Sequence, residues 1–217
     1  MIHKRAGSVL VMGAALAGVL GLSAGSAVAA TNATVNHKVA ATWTVKPGGA
    51  ITAKSGKTTL KDKKTGTVLT CASSSGKGTA KKGSGLSGNG IASITALGFS
   101  NCTGPLSLSF TVHTTHFPWK LNAKSFSGGV TTGTISRIHA TLSGPSCSAT
   151  VDGTGASANN GTVTAKYSNA TGKLTTTGAG NLHVYNVHGC AGLIGNGDAS
   201  SFVGSYAVSP KQTIKSP

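Results

Sequence analysis

The chain has 217 residues, of which 19 are Lys or Arg and only 3 are acidic, all of them Asp, for a formal net charge of +16. Hydrophobic residues make up 38%, aromatics 5% and charged residues 10%, with 32 glycines, which excludes a charged coiled coil and a charge-driven disordered chain. So few carboxylates also remove most acid–base, metal-carboxylate and phosphotransfer chemistry, and the length fits a single ordinary domain.

In chain order, residues 1–29 read as a secretory signal peptide. Lys4 and Arg5 give a basic start, residues 9–22 an apolar run, and Ala27-Val28-Ala29 a small-residue cleavage site. The apolar run is shorter than the roughly 20 residues that a membrane-spanning helix needs. No cysteine follows the cleavage site to carry a lipid. The expectation is a secreted, extracellular, soluble protein whose single all-β domain covers residues 30–217.

Beyond the leader, period-two alternation dominates. The clearest case sets Leu106, Leu108, Phe110 and Val112 on one face against Ser107, Ser109, Thr111 and His113 on the other, the pattern of a half-buried strand. Similar runs occur at 41–45, 67–71, 91–97, 119–124, 137–142, 148–152, 162–167, 182–187 and 202–208. Turn chemistry separates them, as at Pro47-Gly48-Gly49, Gly104-Pro105, Gly144-Pro145 and Asn160-Gly161. This predicts an all-β, single-domain antiparallel sandwich or barrel of about ten or more strands. One short helical turn is expected near 191–194. The Gly/Ser/Lys-rich stretch 73–90 lacks apolar periodicity and reads as a long loop.

Cys71, Cys102, Cys147 and Cys190 form an even set in an exported chain and predict two disulfides. Three connectivities are open. The pairing Cys71 to Cys102 and Cys147 to Cys190 is favoured, because each pair brackets a Gly/Ser-rich stretch and returns after a strand-like run. The wide spacing does not match a zinc site, and no metal or cofactor is expected.

The basic residues crowd into the stretch from Lys38 to Lys82. Lys54, Lys57, Lys61, Lys63, Lys64, Lys77, Lys81 and Lys82 are the anion-binding candidates, for an anionic wall polymer or a lipid surface. Specific nucleic-acid recognition is not expected, since only Trp43 interleaves an aromatic ring with these cations. Phe117 and Trp119 share a strand face and are the aromatic contact candidates, with core packing as the competing role.

Catalytic constellations are sparse. No G-x-S-x-G elbow is present to position a serine nucleophile. Asp152 and Asp198 are the only carboxylates that could flank a scissile bond, with a nearby histidine, and a separate site assembled across strands would use His183 with His113 or His139 and Asp198. Gly83–Gly88 matches G-x-G-x-x-G without the strand–turn–helix context that gives it meaning. Tripeptides of the N-x-S/T type begin at Asn32, Asn101, Asn160 and Asn169.

The strings SGPSCSATVDG and NLHVYNVHGCAGLI, with GPLSLSFTV, PWKLNA and VSPKQTI, resemble an uncharacterised family of small secreted actinomycete proteins. The resemblance spans most of the mature chain and the cysteine contexts. It implies export and a disulfide-bearing β fold, and it carries no activity or catalytic residue.

The resulting expectation is a secreted, non-catalytic β protein that binds or resides at an anionic extracellular surface such as the cell envelope. The alternatives are a secreted hydrolase using Asp152 and Asp198 with a histidine, and a membrane-active antagonistic protein.

Overall fold

The computed structural model describes residues 42–216. The expected leader, residues 1–29, lies outside the described residues, as does Ala41 at the start of the first strand-like run. The described residues form strands β1 (Thr42–Lys46), β2 (Gly49–Ser55), β3 (Thr58–Asp62), β4 (Val68–Ala80), β5 (Gly83–Ser87), β6 (Ala92–Thr103), β7 (Ser109–Thr114) and β8 (Trp119–Ser127). They continue with β9 (Val130–Ile138), β10 (Ala140–Ser143), β11 (Ser148–Asp152), β12 (Gly161–Ser168), β13 (Lys173–Gly180), β14 (His183–His188), β15 (Ser200–Ser209) and β16 (Thr213–Lys215). The predicted all-β class holds, and the architecture is a barrel.

Eight staves close on themselves in the order β4, β6, β8, β9, β12, β13, β15 and β2, with β2 returning to β4. β2 and β3 are two parts of one stave. The pairing with β4 runs from Gly49↔Ala80 to Ser55↔Ser74 and resumes in unbroken register at Thr58↔Cys71. On the other edge, Ser55 pairs with Tyr206 and Thr59 with Val203. Residues 56–58 therefore oppose only 204 and 205, a β-bulge. Side-chain parity flips there. Before the break Ile51, Ala53 and Ser55 face inward; after it Thr58, Leu60 and Asp62 do.

Two smaller sheets complete the domain. An arm of four strands, β7–β10–β11–β14, leaves β6 at Cys102↔Phe110 and returns to β15 through an isolated bridge, His183↔Ala199. Its Leu142 and Val151 join Trp119, Ile135, Ile138 and Val163 in the main core. The other sheet, β16–β1–β5, covers the opposite end of the lumen with a second cluster of Trp43, Val45, Ala80 and Ile91, against which Ile214 packs.

Between these clusters the lumen is not filled. A cavity of about 150 Å³ extends from Val45 and Ile214 past Ile94, Leu121 and Phe202 to Leu142 and Val151, with a wall that is apolar almost throughout. At about 24 cal/mol per Å³ of unfilled core, this forgoes roughly 3–4 kcal/mol. The ring-poor composition is the cause, because the eight staves bring small residues such as Ala53 and Ala80 to the lumen wall where larger side chains would fill it.

Three sequence expectations are corrected. Residues 73–90 are not one long loop: the segment completes β4 and forms β5, which carries all of the G-x-G-x-x-G match but its last glycine. Its inward positions Ser74, Gly76, Gly78 and Ala80 are small, so no apolar alternation is visible. Gly78 is required there, since a Cβ would lie 2.2 Å from the Ser93 carbonyl oxygen. The run from Leu106 to Val112 begins as a strand only at Ser109. Pro105 starts a single 3-10 turn that leaves Leu106 at φ 56° and 90% exposed. Residues 191–194 make turns and bends rather than a helical turn.

The predicted disulfides, Cys71–Cys102 and Cys147–Cys190, both form. The first joins residues that are direct partners across β4 and β6. The second joins the segments that flank the β11–β14 pair. Among the described residues no helix is long and apolar enough to cross a membrane. The staves turn apolar side chains inward and lysines such as Lys54, Lys61 and Lys77 outward, the reverse of a membrane-spanning barrel.

Candidate functional site

The eight candidate lysines lie on one continuous feature, the hairpin made by the β2–β3 stave and β4. Lys54 belongs to β2, Lys57 to the bulge before β3, Lys61 to β3, Lys63 and Lys64 to the turn, Lys77 to β4, and Lys81 and Lys82 to the residues just after it. All eight are exposed. Alternation explains the placement of those on the strands, because each is next to an inward-facing apolar or small residue. Lys77 pairs across the ladder with Thr52, and Lys54 with Ser75, so the two ammonium-bearing chains are diagonal neighbours on the outer face. At about 3.3 Å per residue the 13 residues of β4 span roughly 40 Å. The charges form a long stripe with Lys63 and Lys64 at one end and Lys81 and Lys82 at the other.

The opposing charges are withdrawn from the surface. Asp62, Asp152 and Asp198 are 3%, 0% and 6% exposed, and the sequence contains no Glu. Asp62 closes the β3–β4 turn, its Oδ1 accepting from the backbone N–H groups of Lys64 and Thr65 at 2.9 Å each. Asp198 accepts from Gly195 N–H at 2.8 Å through Oδ2 and from Lys64 Nζ at 3.3 Å through Oδ1. Lys81 Nζ donates to the Asn89 carbonyl at 3.1 Å. The remaining candidates make no ion pair among the described residues.

Asp152 ends β11 inside a cage of donors. His139 Nδ1 donates to Oδ2 at 2.9 Å, and the N–H groups of Gly153, Asn159, Asn160 and Gly161 donate at 2.6, 2.9, 3.1 and 3.2 Å. Burial pushes this carboxyl up, but the bonds from His139 and the loop N–H groups outweigh it and hold it below the usual carboxylate range. Every lone pair is occupied, so Asp152 fastens the loop 153–160 and has no valence left for a substrate. His139 occupies the break between β9 and β10, 8% exposed, with the exposed ring of His116 edge-on at 4.4 Å. His183 is the ladder partner of Asp152, and its Nδ1 donates to the carbonyls of Asn181 and Gly153 at 2.8 and 3.0 Å. His113 is exposed on β7 opposite Thr141. Among the described residues no three His, Cys or Asp side chains gather as a metal site.

The aromatic candidates do not form a surface platform. Trp119 is 4% exposed in the main core, donating from Nε1 to the Thr115 carbonyl at 2.9 Å. Phe117 is half-buried with its ring centroid 5.1 Å from that of Trp119. The ring-poor core recruits both, the core-packing role that competed with surface contact in the sequence.

Sequence reasoning missed the His139–Asp152 pair and the lumenal cavity. The Asp152-Gly153 turn and the strand break at His139 were visible signals for the first. Nothing local signals the second, which depends on which staves close the barrel. Comparison with protein-family models, with curated proteins and with solved structures finds no match for this chain.

Proposed function

We propose that the protein is exported and acts without catalysis, by binding an anionic polymer or lipid surface outside the cell, the producer's own envelope first among them. The carrying observation is the one-sided surface: every Asp is buried while the eight lysines stand exposed along a single hairpin. A field of one sign attracts polyanions over several ångströms beyond contact. A stripe rather than a pocket suits an extended polymer or a planar headgroup layer better than a small anion. The leader-like residues 1–29, the two disulfides and the resemblance to small secreted actinomycete proteins support export.

The test is cosedimentation of the mature protein with purified wall material and with anionic vesicles at about 0.05 and 0.5 M salt, a range over which surface charge becomes heavily screened. Retention at low salt that is lost at high salt, and that falls when Lys77, Lys81 and Lys82 are changed together to Gln, is the expected result. No retention at low salt overturns the proposal.

A further inference from the structure

We infer that the barrel lumen is a binding site for one small, uncharged apolar molecule about the size of benzene or toluene. This site is separate from the lysine stripe: one is the inner and the other the outer face of the same staves, and either reading can fail without the other.

The size of the lumenal cavity, about 150 Å³, is set by the backbone. Closure of eight staves fixes a diameter that side chains must fill. Here Ala53, Gly76, Gly78 and Ala80 leave it open between Ile94, Leu121 and Phe202. Such a void sacrifices dispersion contacts unless an occupant restores them.

The wall selects the occupant. The polar side chains among the lining residues are already engaged or turned away. Tyr206 Oη accepts from Ser74 Oγ at 2.9 Å, Tyr167 Oη donates to the Gln212 carbonyl at 2.9 Å, and Gln212 Oε1 accepts from Gly48 N–H at 2.9 Å. Thr58 Oγ1 has no hydrogen-bond partner but presents almost no accessible surface to the lumen. An occupant with a hydroxyl or a charge would therefore give up its water hydrogen bonds without replacement. A hydrocarbon loses nothing, and an apolar cavity of this size stays dry and takes up benzene or xenon. Chemistry and volume thus agree on a hydrocarbon ring or a short aliphatic chain.

The experiment uses the intact mature protein and graded probes. Benzene and toluene should raise the melting temperature in a saturable way, by about 5–10 °C at a hundredfold excess over Kd. Phenol, of the same shape, should bind at least about tenfold more weakly. Dissolved xenon should report a protein-dependent 129Xe chemical shift. Ala53→Leu fills the lumen and should abolish both effects while the far-UV circular dichroism stays that of the wild type. Should that variant fail to fold, Leu121→Ala serves instead, since enlarging the lumen should extend binding to naphthalene. The inference is overturned if wild-type protein shows neither a saturable shift with benzene nor a xenon signal, or if phenol binds as well as benzene, which would place the probe at a wet surface site.

Discussion

The side-chain amide of Asn169 forms a reciprocal pair with the backbone of Ile214. Nδ2 donates to the Ile214 carbonyl at 2.7 Å and Oδ1 accepts from its N–H at 2.9 Å. β16 is only three residues long and pairs with β1 along one edge. Asn169 supplies the partner that its other edge lacks, and Ile214 is thereby held over the end of the lumen.

Asn169→Ala leaves two backbone groups of Ile214 without that partner. The expected cost is about 1–3 kcal/mol in urea unfolding, with faster amide exchange confined to residues near 212–215. An Ile214 amide that exchanges at the wild-type rate in the variant would contradict this role for the side chain.

Asp152 sets the acid limb of stability. Its carboxyl is held below the ordinary value in the folded protein, so the unfolded chain binds the proton first as pH falls. The contribution is complete at neutral pH, begins to decline near the unfolded value of about 3.9 and is lost as pH drops through the folded value. Asp152→Ala strands the His139 Nδ1–H and the loop N–H groups in a buried site, and should cost about 3–5 kcal/mol at pH 7. Thermal melts from pH 7 to 2 would show the wild type losing stability below about pH 4 and the variant losing less of it.

Tyr206 governs the alkaline limb. Burial pushes its phenol up to about 12 although Ser74 donates to it, and burial also raises Tyr167. An unfolded phenol ionises near 10. Stability should therefore hold to about pH 10 and then fall, because the unfolded chain releases protons that the folded one keeps. Absorbance titration near 295 nm of wild type and Tyr206→Phe should assign the last-titrating of the 3 tyrosines to Tyr206. Loss of an earlier step instead would refute the assignment.

The two disulfides should differ in what their removal releases. Chain entropy gives each about 4 kcal/mol from separations of 31 and 43 residues. Cys71–Cys102 staples a long ladder within the barrel, so its paired replacement by Ala should lower global stability. Cys147–Cys190 closes the β11–β14 pair within the arm, which meets the barrel again at the bridge between His183 and Ala199. Its replacement should raise exchange in β11 and β14 before any change in β8 or β9. Uniform exchange changes across both regions would show that arm and barrel unfold together.

Much of the fold was legible wherever one face of a strand is apolar. The run 148–152 matches β11 residue for residue, and Thr162–Tyr167 lies inside β12. Strands failed to announce themselves where the lumen demands small side chains, as along Ser74–Ala80, or where Thr and Gly dominate both faces, as in β13. Leu106 misled because alternation carries no information about Pro105 just before it. The lysine stripe was readable as a charge cluster, but its linear form depended on β4 running on to Ala80. Asn169 stood out only as the start of an N-x-T tripeptide, while its pairing with Ile214 joins residues 45 positions apart.

The burial of all three aspartates takes carboxylates out of the means by which a protein surface responds to acidity. A mixed surface loses its negative half on acidification, whereas here there is no exposed side-chain carboxylate among the described residues to neutralise. Two copies approaching through their hairpins would meet like charge, so under the proposed function the stripe turns the molecule away from its own kind and toward polyanions. Under the proposed function, ionic strength becomes the control that decides whether it is held or let go.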